Sequence, residues 1–291
     1  MRAEGRLGYI GDMIVTAIVI SLFGLVIGSF LNVCIHRIPE GRSIVTPRSA
    51  CPKCAQPIAA YDNVPILSYL VLGGRGRCCK APISPMYPAV EAVNGLLWVA
   101  VYLVYGLTLS ALVYAAFASA MVVLAVIDAK HRILPHEITF GGLVVALLSS
   151  PWQAIHQQHQ PGLARLAYLL GADFTAAPWV LNLCSALLGM AVGAGMLLVV
   201  AVGYYLVKKR EGMGHGDIVM MGFVGAVLGW PLTLLTIFLG SFLGALVGTV
   251  LIHRAGGDRA YEIPFGTFLG AAAVIALLCG DTLLGWYWNL L

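Results

Sequence analysis

Charge is what this chain has least of. Only 10% of its 291 residues are Asp, Glu, Lys or Arg, against about 25% in an ordinary soluble domain, so it cannot cover a water-facing surface. Other things missing narrow the class. No small-residue cleavage site follows the first apolar run, which is too long for a cleavable signal peptide. The strict alternation of a membrane-spanning barrel is missing too. The run Gly73-Gly74-Arg75-Gly76 has no Walker lysine-serine pair after it and reads as a flexible turn rather than a phosphate loop. No glycine-rich dinucleotide fingerprint occurs anywhere.

Hydrophobic residues make up 60% of the chain, in long continuous runs. That pattern describes an all-α polytopic membrane protein. About eight spans are expected, over 13–35, 86–106, 109–127, 136–151, 180–207, 217–230, 231–253 and 264–288. The fourth and sixth are short of the roughly 20 residues a crossing needs. Pro231 is the only clear break in 217–253, so one kinked helix and a count of seven stay open. The expected layout is a first span at 1–35, a cytosolic module at 36–85 and a membrane domain at 86–291. Lys and Arg set the orientation: fourteen fall in the loop 36–85 and the connections after spans three, five and seven, and three on the other side. The net charge of +4 therefore concerns topology, and no nucleic-acid partner is expected.

The module 36–85 is too small to bury much core, and modules of this size usually need a staple. Cys51 and Cys54, three positions apart, suit one zinc ion. Cys78 and Cys79 follow at about the right separation, but adjacent side chains diverge along an extended chain, which works against both holding one tetrahedral ion. Reduced cytosolic thiols are the competing reading. Cys34, Cys184 and Cys279 lie in apolar spans and read as small buried hydrophobes.

Two carboxylates differ from the others. Asp128 closes the third span in AVIDAKHRILPHEI, and Asp217 opens the sixth in GMGHGDIVMM. Each lies at the cytosolic edge of the apolar layer, where an ionised group is costly and tends to be functional. Glu91, Glu137 and Glu262 lie on the same side, whereas Asp12, Asp173 and Asp281 fall on the other. If Asp128 and Asp217 converge they share a proton, and such a pair is a general acid and base for peptide hydrolysis. Gly212, Gly214 and Gly216 would then leave room for a substrate backbone, with Gly214 and Gly216 nearest the site. The plainer reading makes the glycines a helix terminator, Asp217 an N-cap and Asp128 a partner of Lys130 or Arg132.

The stretches Glu211–Asp217 and Asp128–Pro135 resemble the bacterial type IV prepilin leader peptidases, members of the GxGD aspartic proteases. So do Gly28-Ser-Phe-Leu-Asn-Val33 with Arg37-Ile-Pro39, Cys51-Pro-Lys-Cys54, Asn63-Val-Pro65, Ser68-Tyr69, Tyr87-Pro88 with Glu91, and Ile263-Pro-Phe-Gly266. The resemblance implies a bifunctional enzyme of the bacterial inner membrane. It would cut the basic leader from prepilins and type II secretion pseudopilins at the cytosolic face, then methylate the new N-terminus, commonly phenylalanine, with S-adenosylmethionine. It also implies that Asp128 and Asp217 are the catalytic pair and that the cysteine module, with zinc, belongs to the methyl-transfer region. The acidic residues Glu91, Glu137, Glu211 and Glu262 would face the basic leader. Three departures stand out: Gly76 where a third cysteine is usual, with Cys78 displaced by two; Val219 where a lysine is common; and Thr267 where proline is common. Two other readings remain at this stage, a proton-coupled transporter or channel using the two aspartates as relays, and a membrane-anchored zinc module that only binds partners.

Overall fold

The computed structural model describes residues 2–51, 53–158, 177–210, 212–254 and 264–290. Expectations for Asp173, Glu211, Glu262, Ile263, Arg165 and Arg259 lie outside these residues. The described chain is helical, with no strand beyond two isolated bridges. Its helices are α1 (Arg2–Arg37), α2 (Leu67–Val71), α3 (Met86–Tyr105), α4 (Leu109–His131), α5 (His136–Ser149), α6 (Pro178–Lys208), α7 (His215–Arg254) and α8 (Phe265–Trp288). Six helical segments among the described residues are long and apolar enough to cross a membrane. The expected span at 136–151 appears as α5, whose 14 residues reach about 21 Å against a hydrocarbon layer of about 30 Å. The expected spans 217–230 and 231–253 both fall within α7.

Two compact units make up the chain, Met1–Leu107 and Thr108–Leu291. In the first, α1 and α3 touch along rows spaced four residues apart. A methyl group on Gly24 would lie 2.9 Å from Gly95 Cα, and one on Gly28 would lie 2.7 Å from Glu91 Cα. Small residues let the two backbones meet where lipid supplies no hydrophobic drive between helices. Asn94 and Asn32 donate across the same seam, to the carbonyls of Gly24 (2.7 Å) and Tyr87 (3.1 Å).

In the second unit α7 packs against α5, α6 and α8, and α4 against α5 and α8. The α6–α7 contact is closer still. A methyl group on Gly189 would fall 2.1 Å from Gly225 O, and one on Gly193 would fall 2.2 Å from Met221 O. The interruption in α7 lies at Gly229 (φ 73°, ψ 167°) rather than at Pro231. Proline lacks an N–H and its ring clashes with the preceding turn, and the nearest residue able to take positive φ without strain absorbs the distortion. Carbonyls near the break find other donors. Fully buried His156 donates from Nε2 to Ala226 O at 3.0 Å, and Thr233 Oγ1 donates to Gly229 O at 2.6 Å. In a membrane, such carbonyls need internal partners.

Candidate functional site

Asp128 lies in the last turn of α4. That helix stops because Arg132 takes the left-handed conformation (φ 55°) and returns its N–H to Asp128 O at 2.8 Å. The Asp128 side chain is buried at 5% exposure, and its Oδ2 accepts two hydrogen bonds from one residue of α8: Thr267 N–H at 2.7 Å and Thr267 Oγ1 at 3.0 Å. The first turn of a helix has unpaired N–H groups and a partial positive charge. A carboxylate from α4 thus caps α8. Gly266 is buried beside it, and a methyl group there would sit 3.1 Å from Asp128 Oδ2.

Asp217 is half-buried in the first turn of α7. Its backbone N–H bonds Gly214 O at 3.2 Å, and its Oδ2 lies 3.6 Å from where a side chain on Gly214 would begin. Leu134 joins the two halves of the site. It fills the space that a side chain on Gly216 would occupy (2.9 Å to Leu134 Cβ) and also meets Gly266 (3.0 Å to Leu134 Cδ1). The imidazoles of His136 and His215, both exposed, approach edge to face at 6.0 Å.

The three glycines before Asp217 do different things. Gly212 makes room for the Tyr204 ring, which a methyl group would meet at 2.3 Å, and Gly216 makes room for Leu134. Only Gly214 is exposed with no side chain but the Asp217 carboxylate beside it, and neither Gly214 nor Gly216 takes a positive φ. The sequence marked Thr267 only as a departure and gave Leu134 no role of its own. The signal for Thr267 was its place in the first turn of a helix that opens just after Pro264. A proline at that position would have no N–H to offer Asp128.

In the first unit the four cysteines converge, their Sγ atoms all within 4.8 Å of one another. Cys51 and Cys79 are 3.6 Å apart, and Cys54 and Cys78 3.1 Å. The divergence expected of adjacent cysteines does not arise, because the chain there is a turn rather than extended. Two matching turns carry the cluster. In one, Cys51 N–H donates to Gln56 O (2.9 Å), Ala55 N–H to Cys51 O (2.9 Å), and Ala55 has φ 58°. In the other, Gly76 N–H donates to Ala81 O (2.8 Å), Lys80 N–H to Gly76 O (3.0 Å), and Lys80 has φ 55°. Isolated bridges Ala50–Pro57 and Arg75–Pro82 close both turns. Gly76 thus takes the place of Cys51 and Cys79 that of Cys54. The displaced Cys78 puts its sulfur 4.0 Å from where a side chain on Gly76 would start. Arg77, between them, forks onto Asp62 at 2.8–3.1 Å.

The thiols differ sharply. Backbone N–H groups of Cys54 and then Lys53 pull Cys51 down to about 6, while the contact with Cys54 and loss of water push Cys78 up to about 12. Zinc–sulfur bonds of about 2.3 Å place tetrahedral sulfurs about 3.8 Å apart. The cluster fits that geometry with small adjustments.

Matches to known proteins span the stretches that carry both regions. Residues 22–105 match the bacterial peptidase A24 N-terminal domain, and residues 115–249 match the type IV leader peptidase family. A prepilin leader peptidase/N-methyltransferase of Aeromonas hydrophila is 34% identical over 91% of each chain. One from Pseudomonas aeruginosa is 34% identical over 89% of each. One from Myxococcus xanthus is 36% identical over 86% of this chain and 66% of its own. No solved structure matches. Matched along nearly its whole length by such relatives, the chain belongs to the type IV leader peptidase family.

Proposed function

We propose that this protein is a multi-pass membrane aspartic endopeptidase that removes the leader of prepilins and pseudopilins and then N-methylates the new N-terminus. The observation that supports the reading is that Leu134 packs both against Gly216, next to Asp217, and against Gly266, beside Asp128, so that carboxylates from different helices flank one side chain. Two such carboxylates hold one proton between them. The ionised member takes a proton from water as the oxygen adds to the scissile carbonyl. The protonated member polarises that carbonyl, and the departing amine then receives a proton. Thr267 fixes Asp128, and exposed Gly214 gives an extended substrate backbone access to Asp217. Both carboxylates sit at helix ends, which does not favour a relay across the bilayer.

The active site faces the cytosol in this reading. Lys130, Arg132, Lys208, Lys209 and Arg210 flank the helix ends that carry it, as the positive-inside pattern requires. Glu137, exposed in the first turn of α5, meets the basic leader. S-Adenosylmethionine supplies the methyl group. Cys51, Cys54, Cys78 and Cys79 hold a metal ion, and four thiolates suit zinc. That ion ties together a module with little core of its own.

The test is leader cleavage by the purified protein in lipid, using a prepilin peptide and the variants Asp128→Asn and Asp217→Asn. Each variant is expected to lose cleavage while keeping its thermal unfolding midpoint. Undiminished cleavage by either one ends the aspartic mechanism.

A further inference from the structure

Building on the methyltransferase half of that reading, we propose that Glu91 and Asn32 in the first unit form a binding site for a primary ammonium, and that its occupant is the newly exposed N-terminus of the cleaved substrate. Glu91 is 8% exposed in α3 and Asn32 4% exposed in α1. The facing rows of the two helices set them one helical turn apart, because Gly28 lies against Glu91 and Asn32 against Tyr87. One turn is about 5.4 Å.

Both side chains keep acceptor capacity that nothing in the described chain uses. Asn32 spends its Nδ2 on Tyr87 O at 3.1 Å, and its buried Oδ1 has no partner. Glu91 Oε2 accepts the Ile66 N–H at 2.8 Å, and no cation among the described residues pairs with the carboxylate. An unmatched buried acceptor and an unmatched buried carboxylate are each costly, and in a membrane-spanning helix such a carboxylate points to function. A primary ammonium offers three donors and one positive charge, which is what this pair lacks. The backbone supports the same point. Ile66 holds φ 59°, a strained conformation for a β-branched residue, and in it aims its N–H at Glu91.

The chemistry of methyl transfer gives the carboxylate a task beyond binding. An ammonium has no lone pair. Glu91 takes one proton from it, and the freed amine attacks the methyl carbon of S-adenosylmethionine. The carbon–sulfur bond breaks with its electrons going to sulfur, leaving a methylammonium, S-adenosylhomocysteine and protonated Glu91. The carboxylic acid then returns its proton to water.

The experiment uses the full-length protein in lipid nanodiscs without S-adenosylmethionine. Fluorescence anisotropy reads the binding of a mature pilin-like peptide starting with phenylalanine, its N-terminus either free or acetylated. The unsubstituted protein is expected to prefer the free amine by about tenfold or more. Glu91→Gln, which keeps an acceptor for Ile66 but removes the charge, is expected to abolish the preference, and Asn32→Leu to reduce it. In matched samples containing S-adenosylmethionine, mass spectrometry reads the methylated share of the cleaved peptide, which should fall in step. A preference unchanged in Glu91→Gln overturns the proposal. If that variant does not fold, an unchanged preference in Asn32→Leu does so. Weaker binding of S-adenosylmethionine with the amine preference intact also overturns it, since the ammonium held would then belong to the donor. Failure of the unsubstituted protein to cleave the prepilin peptide would instead count against the peptidase reading.

Discussion

The carboxylate site and the cysteine cluster are built in opposite ways. Asp128 and Asp217 hang from long helices, and what fixes Asp128 comes from 139 positions away, at Thr267. The four cysteines lie within 29 residues of sequence (51–79) on two turns that close through their own hydrogen bonds. A site assembled by packing depends on every partner keeping its register. A site assembled by local turns can absorb a displaced ligand, as when Cys78 reaches the space before Gly76. Substitutions should therefore be far less forgiving at the carboxylates than among the cysteines, and that contrast can be broken.

The largest effect belongs to the carboxylates. Asp128→Asn and Asp217→Asn should each lower leader cleavage by about 10²–10⁴-fold, the range of general acid–base catalysis. The double variant should be no worse than either single one, because the pair acts as a unit. Multiplicative losses would mean that the two aspartates work separately. Kinetics on one peptide, with all three variants, decides it.

The cysteines should be graded rather than all-or-none. In metal-stripped protein at pH 7, Cys51 is mostly thiolate, since its value is about 6, whereas Cys78 at about 12 stays a thiol. Allowing for the lower nucleophilicity of the more acidic thiol, iodoacetamide should modify Cys51 about 10²-fold faster than Cys78. Peptide mapping at short times reads the order, and equal rates would erase the asymmetry. Smaller again is the effect on metal. Cys78→Ser should weaken zinc affinity by about tenfold or more. Adding Gly76→Cys in a Cys78→Ala background should restore it, because a side chain at 76 meets nothing closer than 3.8 Å and the φ there is ordinary. Competition against a colorimetric chelator measures both. No rescue would mean that Cys78 is not standing in for residue 76.

The same contrast explains what could be read from the sequence. Membrane class and helix content follow from composition alone, and the aspartates show themselves by sitting where apolar runs meet basic connections. The first cysteine turn follows from its spacing. Features that depend on distant packing were not legible. The α7 break falls at Gly229 because strain imposed at Pro231 is released where φ can turn positive. Gly216 lacks a side chain because Leu134, 82 positions earlier (216 − 134), occupies the space. Spacing alone also left the convergence of Cys78 and Cys79 looking unfavourable, because the left-handed turn at Lys80 cannot be seen in a run of residue types.

Thr267 gives the smallest and most discriminating test. It holds Asp128 twice, through its backbone N–H and through Oγ1, and the hydroxyl is shared with Ala125 O at 3.0 Å. Thr267→Val keeps the shape and the N–H while removing the hydroxyl. One hydrogen bond of about 1 kcal/mol corresponds to a loss in cleavage rate of about fivefold. Thr267→Pro removes the N–H donor as well, and the loss should deepen even though proline is tolerated at the start of a helix. If packing alone positions Asp128, both variants should cleave at the unsubstituted rate. A loss with proline and none with valine would assign the positioning to the helix N-terminus of α8. The residue that differs from the usual family pattern would then matter only through the part of it that every residue except proline shares.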